Sequence, residues 1–172
     1  MKIRTGFVGN SSSSSFVVIF PMEPKCAEDV KKMLFDDTQL YYGDDIYSVD
    51  QVAETVWKDI CEQEKNDTEK ATNIICQSDY LIGAPDYNDF NHIENDQDKW
   101  DAYNDAMNRY GKKALNEFFN ERKLKLQVID GKDVESGVMY CFSYSDNDSS
   151  YFSSLEHDGL FNKLKNVTVS QH

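Results

Sequence analysis

The chain has 172 residues, of which 40% are hydrophobic and 13% aromatic, and its formal net charge is −13. This composition excludes a disordered chain and indicates a single domain, residues 1–172, with a sizeable core. No run approaches the roughly 18 apolar residues of a membrane span, and the first residues lack the apolar run of a secretion signal. We therefore expect a cytoplasmic protein with no membrane partner.

The negative charge is concentrated in the middle of the chain. Residues 36–105 hold 19 acidic and 4 basic residues, which is a local charge of −15. Such a field disfavours direct nucleic-acid binding and suits a basic protein surface, although it can also serve solubility alone. The cysteines have neither metal-site nor paired spacing, which is typical of free thiols in a reducing cytosol. They are Cys26, Cys61, Cys76 and Cys141.

The first predicted element is a strand at residues 16–20, a run of β-branched and aromatic residues that ends before Pro21. The polar run before it, Asn10 to Ser15, is predicted to be a loop. Residues 24–121 form the helical middle, with about four helices. Ser48 and Gln51 have capping-box spacing at the start of the clearest helix, and a long helix is predicted from 96 to 121.

From residue 123 onwards the apolar period changes from 3.6 to 2, which favours strands. Strands are predicted at 124–128, at 138–144, near 151–152 and near 167–169, with a helix at about 155–164. Because the strand at 16–20 needs neighbours, and only the strand-rich part 123–171 supplies them, the first and last strands must pair. We therefore predict an α+β fold with a largely antiparallel sheet, covered on one face by the helices of the middle.

Both ends of the chain carry a family resemblance. Residues 2–16 read KIRTGFVGNSSSSSF, and the tail contains YSDND at 144–148, LEH at 155–157 and SQH at 170–172. These segments resemble an uncharacterised family from bacteria, phages and other mobile elements, whose members read GFVSNSSSSSF and end in Ser-His-His. Gly9 and Gln171 depart from that pattern. The resemblance implies a phage or mobile-element accessory protein in the bacterial cytoplasm, and it implies no reaction.

Since the predicted sheet brings the two ends together, we expect them to form one polar pocket. The serine loop offers hydroxyls and backbone N–H groups that suit a phosphate or another anion, and an arginine near it can add a charge-assisted bond. The alternative is a surface loop whose serines bond their own backbone. The predicted ligand-binding residues are Arg4, Asn10, Ser11, Ser12, Ser13, Ser14, Ser15, His157 and His172.

The tail also offers oxygen and imidazole ligands for a divalent metal, the one cofactor that the sequence suggests. Its weak metal candidates are Asp146, Asp148 and Glu156, and their spacing fits no established metal motif. We expect an anion rather than a metal, with the two aspartates serving the turn. His157 is the candidate catalytic residue, as a general base near neutral pH, and the alternative for it is a structural role.

Two functions follow from these patterns. The first is binding of an anionic or nucleotide-like ligand between the chain ends, which requires the serines and His157 on one concave surface. The second is a non-enzymatic interaction protein that binds and inhibits a basic host protein, for example one that binds nucleic acid. This second function requires the acids of residues 36–105 on one continuous outer face.

Overall fold

The computed structural model describes residues 12–36, 40–42, 45–77, 84–121 and 137–171. The strands are β1 (Ser13–Phe20), β2 (Leu40–Tyr42), β3 (Asp45–Tyr47), β4 (Val138–Ser145) and β5 (Lys165–Gln171). The α-helices are α1 (Ala27–Leu34), α2 (Val49–Cys61), α3 (Thr68–Cys76), α4 (Asp96–Glu121) and α5 (Ser150–His157), and Tyr87–Phe90 form a short 3-10 helix. The predicted α+β class is confirmed, whereas the predicted strand at 124–128 lies outside the described residues.

The central sheet has the order β4-β1-β5, with β1 antiparallel to both neighbours. Phe16 on β1 lies opposite Phe142 on β4 and opposite Thr168 on β5. The predicted pairing of the first strand with the C-terminal strands is therefore confirmed. The strands β2 and β3 pair only with each other among the described residues, and they lie within residues 24–121, which the sequence predicted to be the helical middle.

Strand β1 begins at Ser13, three residues before the predicted start. Ser13, Ser14 and Ser15 are paired with β4 on one side and with β5 on the other. Their backbone groups therefore belong to the ladders of a central strand, and the prediction of a serine loop was wrong for these three residues. The hydrogen-bonding demand of two flanking strands outweighs the weak strand preference of serine.

Helices cover both faces of the sheet, whereas the sequence predicted one covered face. Phe16, Val18 and Phe20 point to the face packed by α1, α2 and α5, while Val17 and Ile19 point to the face packed by α3 and α4. The run of five apolar residues explains this arrangement, because successive side chains of a strand alternate between its two faces. The acids of α2 and those of α3 and α4 consequently lie on opposite sides of the sheet, not on one continuous face.

The helix starts follow the predicted capping chemistry. The Ser48 hydroxyl accepts a hydrogen bond from the Gln51 N–H at the start of α2, and the Asp67 carboxylate accepts one from the Lys70 N–H at the start of α3. The predicted strand at 151–152 was wrong, because these residues lie in α5. There the Ser149 hydroxyl accepts from the backbone N–H of Phe152 and caps the helix.

The outer edge of β4 is covered by the connection between α2 and α3. The Gln63 side-chain oxygen accepts from the Cys141 N–H at 2.8 Å, and the Asn66 side-chain oxygen accepts from the Met139 N–H at 3.0 Å. The backbone N–H of Asn66 donates to the Met139 carbonyl at 2.9 Å. Side chains therefore take the place of a fourth strand at this edge.

Candidate functional site

A pocket of about 480 Å³ opens where the two ends of the chain meet. The turn after α5 and the outer residues of β5 give it a polar wall of Asn162, Asn166, Thr168 and Ser170, and the rings of Phe16 and Phe161 add apolar surface. Its acids are Glu156 and Asp158, and its imidazole is His157. This volume is within the usual range of roughly 300–1,000 Å³ for small-molecule sites.

Two serines of the predicted set reach this pocket region. The Ser12 hydroxyl lies 3.4 Å from Nε2 of His157, and the buried Ser14 hydroxyl donates to Oε1 of Glu156 at 3.4 Å. Ser14 also lies 3.0 Å from the hydroxyl of Ser170 on β5. The first strand, the helix α5 and the last strand therefore each supply a polar group to one place.

Two other predicted ligand residues, Ser13 and Ser15, do not join this group. Strand alternation directs Ser13 and Ser15 to the opposite face of the sheet, where the Ser15 hydroxyl lies 3.1 Å from that of Ser143. The sequence-based set was therefore too large in the serine run, because it treated a strand as a loop. Four more of its members lie outside the described residues, namely Arg4, Asn10, Ser11 and His172.

Three metal-binding types of side chain converge beside the same serines. One ligand atom from each of Asp146, Glu156 and His157 lies within 4.8 Å of the other two. Asp146 follows β4 in the turn, while Glu156 and His157 are the last residues of α5. Asp148, the remaining metal candidate, is exposed and lies outside this cluster.

The Glu156 carboxylate is buried without full compensation. Its side chain is 0% exposed, and its Oε2 atom has no hydrogen-bond partner among the residues that the structure describes. The nearest basic atom, Nε2 of His157, lies 3.6 Å away, which is longer than a normal N–H···O bond. Oδ1 of Asp146 is also buried and unpartnered. A buried carboxylate normally pairs with a cation or binds a metal, and within the described residues only the His157 imidazole is placed to pair with Glu156.

The chemistry of the pocket therefore differs from the predicted preference for a bare anion. Within the described lining, two carboxylates face one imidazole. An anion entering alone would be repelled above all by Glu156, because this carboxylate is buried and little water screens its charge, whereas Asp158 is exposed. The prediction placed Asp146 mainly in the turn and did not anticipate that Glu156 would be buried.

Several pocket residues were missed by the sequence reasoning. Thr168 and Ser170 alternate with the inward-facing Val169 on β5, so the period of the last strand could have identified them. Gly159 has φ +71, and a Cβ atom there would lie 2.1 Å from the Asn162 amide nitrogen. No local signal indicates that this glycine turn folds Asn162 and Phe161 back towards β1.

The buried cysteine of strand β4 is not suited to act as a nucleophile. All four thiols are free, and Cys141 is buried on β4. Burial raises the pKa of the Cys141 thiol to about 12, although the nearby Lys70 ammonium group opposes this shift. A thiol with such a pKa is protonated at neutral pH and is therefore a poor nucleophile.

A second surface feature lies at the start of α4. The Trp100 ring is 51% exposed, and it packs with the rings of Tyr87 and Tyr103 at centroid distances of 5.7 and 5.8 Å. The Lys99 ammonium group lies 4.1 Å from the centroid of Tyr87. This aromatic patch is bordered by carboxylates on the 3-10 helix and on the first turns of α4, including Asp89.

Comparison of the chain with protein-family models gave no match, and comparisons with curated proteins and with solved structures gave none either. Among the helices that the structure describes, none combines the length and the apolar content needed to cross a membrane. The functional argument therefore starts from the pocket and from its charges.

Proposed function

We propose that the protein binds a small anionic ligand, such as a phosphate or a nucleotide, in the pocket between its chain ends. The observation that carries this proposal is the convergence of Ser12, Ser14 and His157 from opposite ends of the sequence. The Ser12 hydroxyl and the exposed His157 imidazole can donate to phosphate oxygens, and the amide and hydroxyl wall suits the polar remainder of the ligand.

The carboxylates of the pocket require that the anionic ligand bind together with a cation. Glu156 and Asp158 line the pocket, so positive charge has to accompany the anion. A nucleotide brings that charge as its magnesium complex, in which carboxylates and phosphate oxygens share the ion. The accessory role in a phage or mobile element, and the bacterial cytoplasm as its place, belong to this proposal and rest on the resemblance of the chain ends.

The test uses two double variants of the same strand. Ser12→Ala/Ser14→Ala removes the hydroxyls on the pocket side, and Ser13→Ala/Ser15→Ala removes those on the opposite face. Thermal unfolding is followed with inorganic phosphate and with ADP, each with and without magnesium. We expect the ligand to raise Tm in the native chain and in the second variant, and to have a smaller effect in the first. Equal responses in both variants would contradict the proposal.

The aromatic patch supports a second candidate function, a non-enzymatic interaction protein. Trp100 is one of the few large apolar side chains that the described structure leaves exposed, and Lys99 above Tyr87 provides an internal example of a cation on this surface. A lysine- or arginine-rich segment of a host protein matches both the rings and the surrounding acids. This patch is smaller than the continuous acidic face that imitation of nucleic acid requires.

Titration with an oligolysine peptide separates the two candidates. If the patch is the functional surface, Trp100→Ala weakens peptide binding and leaves the phosphate response unchanged. If the pocket is the functional site, Trp100→Ala leaves the Tm response to nucleotide unchanged. It also leaves unchanged the loss of that response in Ser12→Ala/Ser14→Ala. Asn104→Ala, an exposed substitution on the same helix, is the matched control.

A further inference from the structure

The buried Glu156 carboxylate and the half-buried Asp146 carboxylate beside it need a positive partner, and no lysine or arginine of the described residues supplies one. Among these residues, the ion pairs of lysine and arginine side chains involve neither Asp146 nor Glu156. Each of the two carboxyl groups keeps one buried oxygen without a hydrogen-bond donor. Two unpartnered oxygens within one small cluster favour a cation site more strongly than either would alone.

The surroundings of the cluster also favour a cation. Glu156 and His157 lie at the C-terminal end of α5, where the free carbonyl groups of the last turn carry partial negative charge. Ser14 donates to the other oxygen of Glu156 and so fixes the direction of Oε2. Hydrogen bonds of this kind orient the ligands of metal sites.

We propose that Asp146, Glu156 and His157 bind one divalent transition-metal ion, with Mn²⁺ or Zn²⁺ as its chemical type. Two carboxylate oxygens and one imidazole nitrogen form a mixed donor set that suits these ions better than the all-oxygen sets preferred by Ca²⁺ and Mg²⁺. Ligand atoms on one such ion lie no more than about 4.2 Å apart. Two ligands reach that distance only on opposite sides of the ion, and ligands at tetrahedral positions lie about 3.4 Å apart. The observed limit of 4.8 Å therefore requires a contraction of up to about 1.4 Å.

Three protein ligands leave further coordination positions on the ion for other groups. An ion held there would neutralise the acids and offer a direct bond to a phosphate or carboxylate oxygen. Binding of the ion does not depend on any other ligand, whereas its role in holding an anion rests on the proposed function. The metal site and the anion pocket can therefore be tested separately.

The first experiment measures the metal alone. Protein treated with a chelator and then freed of it is titrated with Mn²⁺, and binding is followed by calorimetry and by loss of the spin-resonance signal of free Mn²⁺. We expect one ion per chain, with at least about tenfold weaker binding in His157→Ala and in Asp146→Asn. Asp148→Asn, in the same turn but outside the cluster, is the control and should bind as the native chain does.

The outcomes decide the inference. His157 is about half exposed, so its replacement keeps the test valid even if the Asp146 variant fails to fold. Absence of Mn²⁺ and Zn²⁺ binding in the native chain, or unchanged binding in His157→Ala, would overturn the proposal. Metal binding without any response to phosphate or ADP would uphold the site and contradict the anion function instead. If the protein binds the anion after a chelator has removed all metal, the ion is not needed to hold the anion.

Discussion

Replacing Glu156 with glutamine should stabilise the metal-free protein. The amide is nearly isosteric with the carboxylate, its oxygen can still accept from Ser14, and its NH₂ group can donate towards Oδ1 of Asp146. Two unit charges 4.8 Å apart repel each other by roughly 3.5 kcal/mol at an effective dielectric constant of about 20. Partial exposure of Asp146 and the nearby His157 imidazole reduce this value, so we expect a gain of about 2 kcal/mol.

For a chain of this length, a gain of that size corresponds to a rise in Tm of roughly 4–8 °C. The assay is thermal unfolding by circular dichroism, first with a chelator and then with excess Mn²⁺. Because a ligand at a hundred times its Kd stabilises by about 2.7 kcal/mol, Mn²⁺ should bring the native chain level with the variant or above it. The glutamine variant should respond weakly to Mn²⁺.

The control is Glu54→Gln, the same substitution on the exposed face of α2, which should leave both melting curves unchanged. A lower Tm for Glu156→Gln in chelator would show that the carboxylate is already compensated in the metal-free protein. That result would refute the reasoning from uncompensated charge, and with it the main physical argument for the metal site.

Three further outcomes are expected. Gly111→Ala should destabilise by about 1–3 kcal/mol in urea unfolding, because its Cβ would lie 2.3 Å from Sγ of Cys76 and force α3 and α4 apart; an unchanged midpoint would contradict this. The Cys141 thiol should react with Ellman's reagent only after unfolding, since burial raises its pKa to about 12. Burial also raises the pKa of Asp59 above its ordinary 3.8, although the hydrogen bond from Tyr144 opposes this shift. The protonated Asp59 therefore stabilises the folded state at low pH, and this stabilisation is lost as the pH rises through the raised pKa. Asp59→Asn should therefore gain stability relative to the native chain as pH rises through that pKa, and a constant difference would exclude the effect.

The sequence predicted the α+β class and the pairing of β1 because both depend on local pattern. Five apolar residues in succession need neighbours and cover, and only the C-terminal part supplied strands. The same run also implied two covered faces, which the sequence prediction did not use. The error at Tyr151 and Phe152 arose because aromatic residues favour strands on average, while the Ser149 cap and a hydrogen bond from Tyr151 to Thr55 hold a helix there.

The candidate site was predictable only in part. The meeting of the serines with His157 follows from the strand order, and the structure places Ser12 beside it. The burial of Glu156 does not follow from any sequence pattern, because glutamate is rarely buried and α5 was predicted with other bounds. Asp146 joins the cluster through the turn between β4 and α5. No periodic pattern of residues in the sequence predicts this tertiary contact.

The covered edge of β4 has a consequence for association between copies of the chain. Gln63 and Asn66 occupy the backbone groups that an incoming strand would need at Cys141 and Met139. A sheet that is closed on one side can be extended only from the other, so joining two copies along β5 would leave no uncovered edge of the described three-stranded sheet for a third. Edge-to-edge contact would then end at a closed pair instead of growing into a fibre, and this limit comes from two amide side chains in a connecting loop.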